Sequence, residues 1–308
     1  MRHAWETVKA ELAAAHDKLK ELGAPVSTSP PTPGKPGTDT EKIVKVRIPG
    51  LTADTQRING PLMSPDAHRA MATVLMQAPA VLKGIRAACQ KLTSNAAGPE
   101  PPAELEGQAE ALSKCMSAVS GHPVQRLANA IAGFLHEQRA KGAPLDKQSA
   151  RNIASVADLC GTLLQPQHLK RVRELDHPRA LVIDDDPQVL NSLTRTLGEA
   201  AINVTGSGDV KSALDLLQTK HFDLILLDLG LPDGNGIELC SKIREIPGTK
   251  KTPIVVITGN DNIDNRAQTS LNGANDFVGK PFDSREFTIK VESWIYRSQF
   301  GLLEAANN

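Results

Sequence analysis

The pattern of apolar positions changes three times along the chain. Trp5, Val8, Leu12, Ala15, Leu19 and Leu22 recur in steps of three and four, which predicts a helix with one apolar seam over residues 1–23. Gly23 and Pro25 stop it. Under three heptads is marginal for an isolated coiled coil, so the seam either pairs two chains into a homodimer already held elsewhere or docks on its own domain. Residues 24–64 open with APVSTSPPTPGKPGTDT, which offers nothing to bury and predicts a largely disordered linker. Within it, Val44, Val46 and Ile48 alternate with Lys45 and Arg47, the pattern of one edge strand.

Residues 65–178 read as helices. Their apolar positions fall in four groups: Met71 to Leu92, Leu105 to Val119, Leu127 to Leu135 and Ile153 to Leu163. Breaks at NAAGPEPPAE, SGHP and KGAPLD separate them into a mainly α-helical, bundle-like domain. Pro79 is expected to kink the first helix or split it.

From Arg179 the rhythm becomes strand and helix in alternation. Short apolar runs at ALVI, INVTG, DLILL, PIVVI and DFVG are each followed by a helical pattern, so residues 179–298 predict an α/β fold with a doubly wound, five-stranded parallel sheet. Residues 299–308 form a tail. It is too short for a further domain, so any output function is expected in residues 1–179.

Composition adds two constraints. The net charge is zero, but residues 1–179 carry 23 Lys and Arg against 17 Asp and Glu, and the remainder 12 against 18. The zero total argues against a general nucleic-acid binder, but it hides two halves of opposite sign. Cys89, Cys115, Cys160 and Cys240 form no CxxC pair, which suggests neither a disulfide framework nor a zinc site. No apolar run reaches the roughly 20 residues that span a bilayer, and MRHAWETVKAEL lacks the apolar core of a signal peptide. The expectation is a cytoplasmic protein with no membrane partner.

Candidate chemistry lies at the strand ends, where ligands of such sheets gather. Asp184 and Asp185 follow the first strand, Asp228 the third, Thr258 ends the fourth, and Lys280 follows the fifth. Three converging carboxylates repel one another unless a cation sits among them, and oxygen ligands of this kind suit Mg2+ or Mn2+. Asp186, just before Pro187, reads as a helix cap. A haloacid-dehalogenase-like phosphatase would also use a strand-end aspartate, but needs a second one where this chain has Gly230.

The four stretches LVIDDDP, LLDLGLPDGNG, VVITGN and DFVGKPF, in this order and at these separations, closely resemble the receiver domain of two-component response regulators. The resemblance implies that Asp228 accepts a phosphoryl group from a histidine kinase or phosphotransfer protein, as a signalling phosphoacceptor rather than an enzyme with a separate substrate. It implies that Asp185, Asp228 and the backbone carbonyl of Gly230 bind Mg2+, with Asp184 contacting it directly or through water. Thr258 and Lys280 would bind the phosphoryl oxygens, Phe277 would be the switch aromatic, and the Lys280–Pro281 peptide is a candidate for the cis form. Phe277 has no hydroxyl, so it lacks the hydrogen bond that a tyrosine there can make.

The first half carries no helix-turn-helix or catalytic motif. Around His122 and His136 the pattern of a histidine phosphotransfer helix, His, two residues, then Lys-Gly, is missing; His122 reads as a turn residue and His136 as a helix-surface residue. His16 lacks the proline expected after a kinase phosphoacceptor. The leading expectation is a binding or dimerising domain with an unknown protein target, switched by the receiver. The alternative is a phosphorelay intermediate or phosphate sink with a divergent phosphotransfer domain.

Overall fold

A computed structural model describes residues 65–94, 103–119, 121–169, 177–232, 234–259 and 270–303. The seam over 5–22, the linker over 24–64 and the strand at 44–48 lie outside the described residues. Everything described belongs to one compact unit, Pro61–Asn308.

Four helices come first: α1 (Pro65–Ser94), α2 (Ala103–Met116), α3 (Pro123–Ala140) and α4 (Lys147–Leu163), followed by a single turn, α5 (Pro166–Leu169). Helix α1 packs on α2 and α4, and α3 on α2 and α4. Pro79 does not split α1, which runs on through it. The proline lies on the exposed side, while Val74, Ala78, Leu82 and Ile85 are buried on either side of it; packing of that face outweighs the one backbone hydrogen bond that proline removes.

The second part alternates β1 (Arg179–Ile183), α6 (Pro187–Glu199), β2 (Asn203–Ser207), α7 (Val210–Thr219), β3 (Leu224–Leu227), α8 (Gly236–Glu245), β4 (Ile254–Thr258), β5 (Asp276–Gly279) and α9 (Ser284–Gln299). The five strands form one parallel sheet in the order β2-β1-β3-β4-β5. Side chains alternate strictly between its faces. Leu181, Ile183, Ile225, Leu227, Ile254 and Val256 join a core with Ala213 and Leu217 of α7 and Leu239 and Ile243 of α8. Ala180, Val182, Leu224, Leu226, Val255 and Ile257 face the other way, toward α6 and α9.

That second core does not stop at α9. It continues through Phe287, Ile289, Val291, Ile295 and Tyr296 into the apolar faces of the four helices, because α9 also packs on α3 and α4. Helix α9 is thus covered on both sides.

The helix starts follow from local chemistry. Asp186, Asp209, Asn235 and Asp283 each accept a hydrogen bond from a backbone N–H of the first turn of α6, α7, α8 and α9, and Asp146 does so for α4. Asp186 is therefore a cap, with Pro187 at the first helical position. His122 caps α3 through Nδ1, which accepts from the N–H of Val124 at 3.1 Å, and desolvation by burial pushes its pKa down from 6.5 to about 4. The folded protein keeps this ring neutral. Stability from His122 is fully present above pH 6.5 and is lost as pH falls toward 4. We expect about 3 kcal/mol to disappear over that window, a difference set by the size of the shift. Urea unfolding at pH 7 and pH 4 checks this, with His122→Asn, which keeps a capping oxygen, losing less.

Candidate functional site

The chain order of the sheet reverses between β1 and β3, and the site sits beyond their carboxyl ends. Asp184 follows β1 and is almost wholly buried. Its Oδ1 accepts from the N–H of Asp186 at 3.0 Å, which folds the acidic turn back on itself. Asp228 follows β3, its own N–H bonded to the carbonyl of Ile183 at 2.9 Å, so the register of β1 and β3 fixes where its carboxylate stands.

Lys280 completes the group from the end of β5. Its Nζ donates to Oδ2 of Asp184 at 2.7 Å and to Oδ1 of Asp228 at 2.9 Å. The cation among these carboxylates is a lysine of the same chain. Burial alone would lower this ammonium, but its hydrogen bonds to Asp184 and Asp228 and their negative charge outweigh that and hold it above the usual lysine range. The N–H of Lys280 bonds to the carbonyl of Thr258 at 2.8 Å, placing Thr258, buried at the end of β4, on the same rim. The Lys280–Pro281 peptide is cis.

Asp185 is exposed at this rim. The N–H of Gly230 donates to Oδ2 of Asp228 at 2.5 Å, which closes the loop over the carboxylate. Gly236 is required by close backbone approach: a Cβ there would lie 2.7 Å from Cα of Leu229. The carboxylates of Asp184, Asp185 and Asp228 would offer a cation oxygen ligands only, which suits a hard ion such as Mg2+. Among the described residues no three His, Cys, Asp or Glu side chains are gathered as a metal group.

Phe277 of β5 packs against the core shared with α7 and α8 and also lines a cavity of about 430 Å³. Pro281, Asp283 and Glu286 line it too, with Asp146 and Asn152 from the four-helix part opposite. The cavity therefore lies between the end of β5 and α4.

Between the four helices and the second part runs a set of contacts that local sequence patterns do not reveal. Arg126 of α3 reaches Glu292 of α9, Nε to Oε1 at 3.1 Å and NH2 to Oε1 at 2.8 Å, and donates to the carbonyl of Ala200. Burial raises the pKa of Glu292 despite the opposing pull of Arg126. Asn152 donates to Glu286 at 2.9 Å, Arg297 to Oγ of Ser155 at 2.9 Å, and Arg285 pairs with Glu137. Asp283, three residues after Lys280, accepts from Gln138 at 3.4 Å and lies 3.7 Å from Nζ of Lys141.

Comparison with known proteins accounts for the second part only. The profile of the response regulator receiver domain matches residues 180–292. The response regulator protein PilR of Pseudomonas aeruginosa is 36% identical over 109 residues, 35% of this chain and 24% of the relative. The transcriptional regulatory protein SrrA of Staphylococcus aureus is 31% identical over 124 residues, 40% of this chain and 50% of the relative. The chain thus spans half or less of these relatives. Among solved structures, the receiver domain of Francisella response regulator 1452 aligns at 30% identity and TM-score 0.37, covering 39% of this chain and 98% of that one. A CheY-like receiver domain of Methanospirillum hungatei aligns at 24% and TM-score 0.38, covering 40% and 97%. Among the described residues no helix is long and apolar enough to cross a membrane.

Two substitutions probe this arrangement. Lys280→Met leaves two close carboxylates without their ammonium and should cost about 2 kcal/mol at pH 7 in urea unfolding. The Lys280 contribution is fully present below its ordinary value of 10.5 and is lost as pH rises through its raised folded value. Arg126→Ala strands the buried Glu292 carboxylate and should cost about 3 kcal/mol, the low end for breaking such a pair, because the Arg126 side chain is 32% exposed.

Proposed function

We propose, from residues 180–292 being a response regulator receiver domain, that this chain accepts a phosphoryl group on Asp228 and thereby switches what its N-terminal helices contact. The observation that carries the proposal is Lys280, whose Nζ holds both Asp184 and Asp228 while its own segment runs within three residues to Asp283 and the helices.

The donor is a histidine kinase or phosphotransfer protein. An Asp228 oxygen forms a bond to phosphorus as the phosphorus–nitrogen bond of the donor histidine breaks, its electron pair returning to the imidazole. Such transfer needs positioning and charge neutralisation more than covalent help. Asp185, Asp228 and the Gly230 carbonyl would hold Mg2+ or Mn2+, with Asp184 at or next to it; the metal when bound supplies charge neutralisation at the phosphoryl oxygens. Lys280 and the Thr258 hydroxyl bind the same oxygens.

Phosphoryl oxygens then compete with Asp184 and Asp228 for the Lys280 ammonium. A switch can shift its partner's equilibrium only by what it gains differently in its two states. Here the difference is passed along Lys280 to Asp283, and through Thr258 and Phe277, toward the cavity and the helices beside it. The target of those helices is a further protein.

Full-length protein given a small acyl phosphate and Mg2+ should gain one phosphoryl group by intact mass, and Asp228→Asn should not. On the same samples, hydrogen exchange in 123–163 should rise on phosphorylation of wild type. Unchanged exchange with Asp228 fully occupied would remove the switch and leave a phosphate sink.

A further inference from the structure

Helix α3 meets α9 in the opposite sense, its first turns against the later part of α9 and its last turns against the start. The two ends of that contact differ in kind. Near the start of α3, Arg126 reaches Glu292, whose side chain is only 5% exposed, next to the buried Val291, Ile295 and Tyr296 of α9. Near the end of α3, Glu137 pairs with Arg285 and stands 2.6 Å from Nζ of Lys141, which in turn lies 3.7 Å from Asp283. Arg285, Glu137, Lys141 and Asp283 thus alternate in sign across the contact, and the side chains of Arg285 and Lys141 are 55% and 52% exposed.

Two further features mark this exposed end. Gly133 lies inside α3, where glycine weakens a helix relative to alanine, and a Cβ there would stand 2.9 Å from NH1 of Arg285. The helix gives up some of its own stability and keeps a seat for the guanidinium. The cavity of about 430 Å³ opens at the same end, with Asp146 and Asn152 on one wall and Phe282 and Glu286 on the other. Fewer packed atoms hold the surfaces together there.

The bland reading makes Arg285 and its partners ordinary surface pairs. Exposed pairs do contribute little, and salt screens them, whereas separating a buried pair is strongly resisted because it strands a charge. One contact therefore carries two unequal resistances to opening. We infer that the helices leave α9 in a fixed order: the charges from Arg285 to Asp283 form a latch that lets go first, and Arg126 on Glu292 stays as the pivot. The Asn152 bond to Glu286 lies at the latch end and parts with it. Opening uncovers the end of α3 and the start of α4, while the first turns of α3 stay docked. That phosphorylation pulls the latch, through Asp283 three residues after Lys280, rests on the Asp228 reading; the latch and the pivot do not.

Full-length protein without a phosphodonor tests the order of opening through salt. Raising ionic strength from about 0.05 to about 0.5 M shortens the range of charge interactions several-fold. Hydrogen exchange in 134–140 should then rise about 5-fold, while 127–131 stays unchanged. Glu137→Gln should show that rise already at low salt and lose the salt response. Arg126→Ala should loosen 127–131 together with 134–140. Gly133→Ala separates a latch from plain helix stability, because alanine alone strengthens α3 and slows its exchange; with Arg285 pushed from its seat, exchange in 134–140 should instead quicken. A uniform rise along α3, no response to salt, or slower exchange in Gly133→Ala overturns the latch. If salt opens 134–140 but full occupancy of Asp228 does not, the latch stands and the phosphorylation switch is what fails.

Discussion

Helix α9 is covered on both sides, and most of the described structure follows from that. Its inner side closes the core under β1, β3 and β4, and its outer side completes the core of the four helices. A helix enclosed this way cannot carry an ordinary polar face. Glu292 and Ser293 are buried within it, and the Glu292 carboxylate is tolerated there because Arg126 crosses from α3 to meet it. A buried pair of this kind adds little net stability over an apolar contact, yet it penalises any packing that separates the partners. It fixes which helix meets which.

The sheet was legible in the chain because a parallel strand buried on both faces must be apolar throughout, as LILL at 224–227 is. The site was legible for a related reason. Polar residues at the ends of such strands have no structural motive, so Asp184, Asp228, Thr258 and Lys280 stand out against their surroundings. The four helices were legible from spacing, and Asp186 from its place before Pro187.

What could not be read was which surfaces meet. Arg126 and Glu292 are 166 positions apart, and nothing local in either segment marks the other. The Lys280 bridge was missed for a different reason. Charge repulsion among carboxylates calls for a cation but does not say which one, and the sequence reading assigned it to a metal while giving Lys280 to the phosphoryl oxygens. The split that Pro79 allowed for does not occur, since local backbone cost was overruled by packing.

The coverage of α9 also sets a concentration scale. Because α3 and α4 belong to the same chain as the helix they cover, their local concentration at that surface is on the order of millimolar, as for modules joined by a short connection. An outside protein seeking the same face of α9 at roughly micromolar concentration starts about a thousandfold behind, which corresponds to ~4 kcal/mol. It must bind that much better than the chain's own helices, or wait until they let go. A face guarded in this way is silent toward weak partners at all times, and it becomes selective for strong ones only when the tethered competitor loosens.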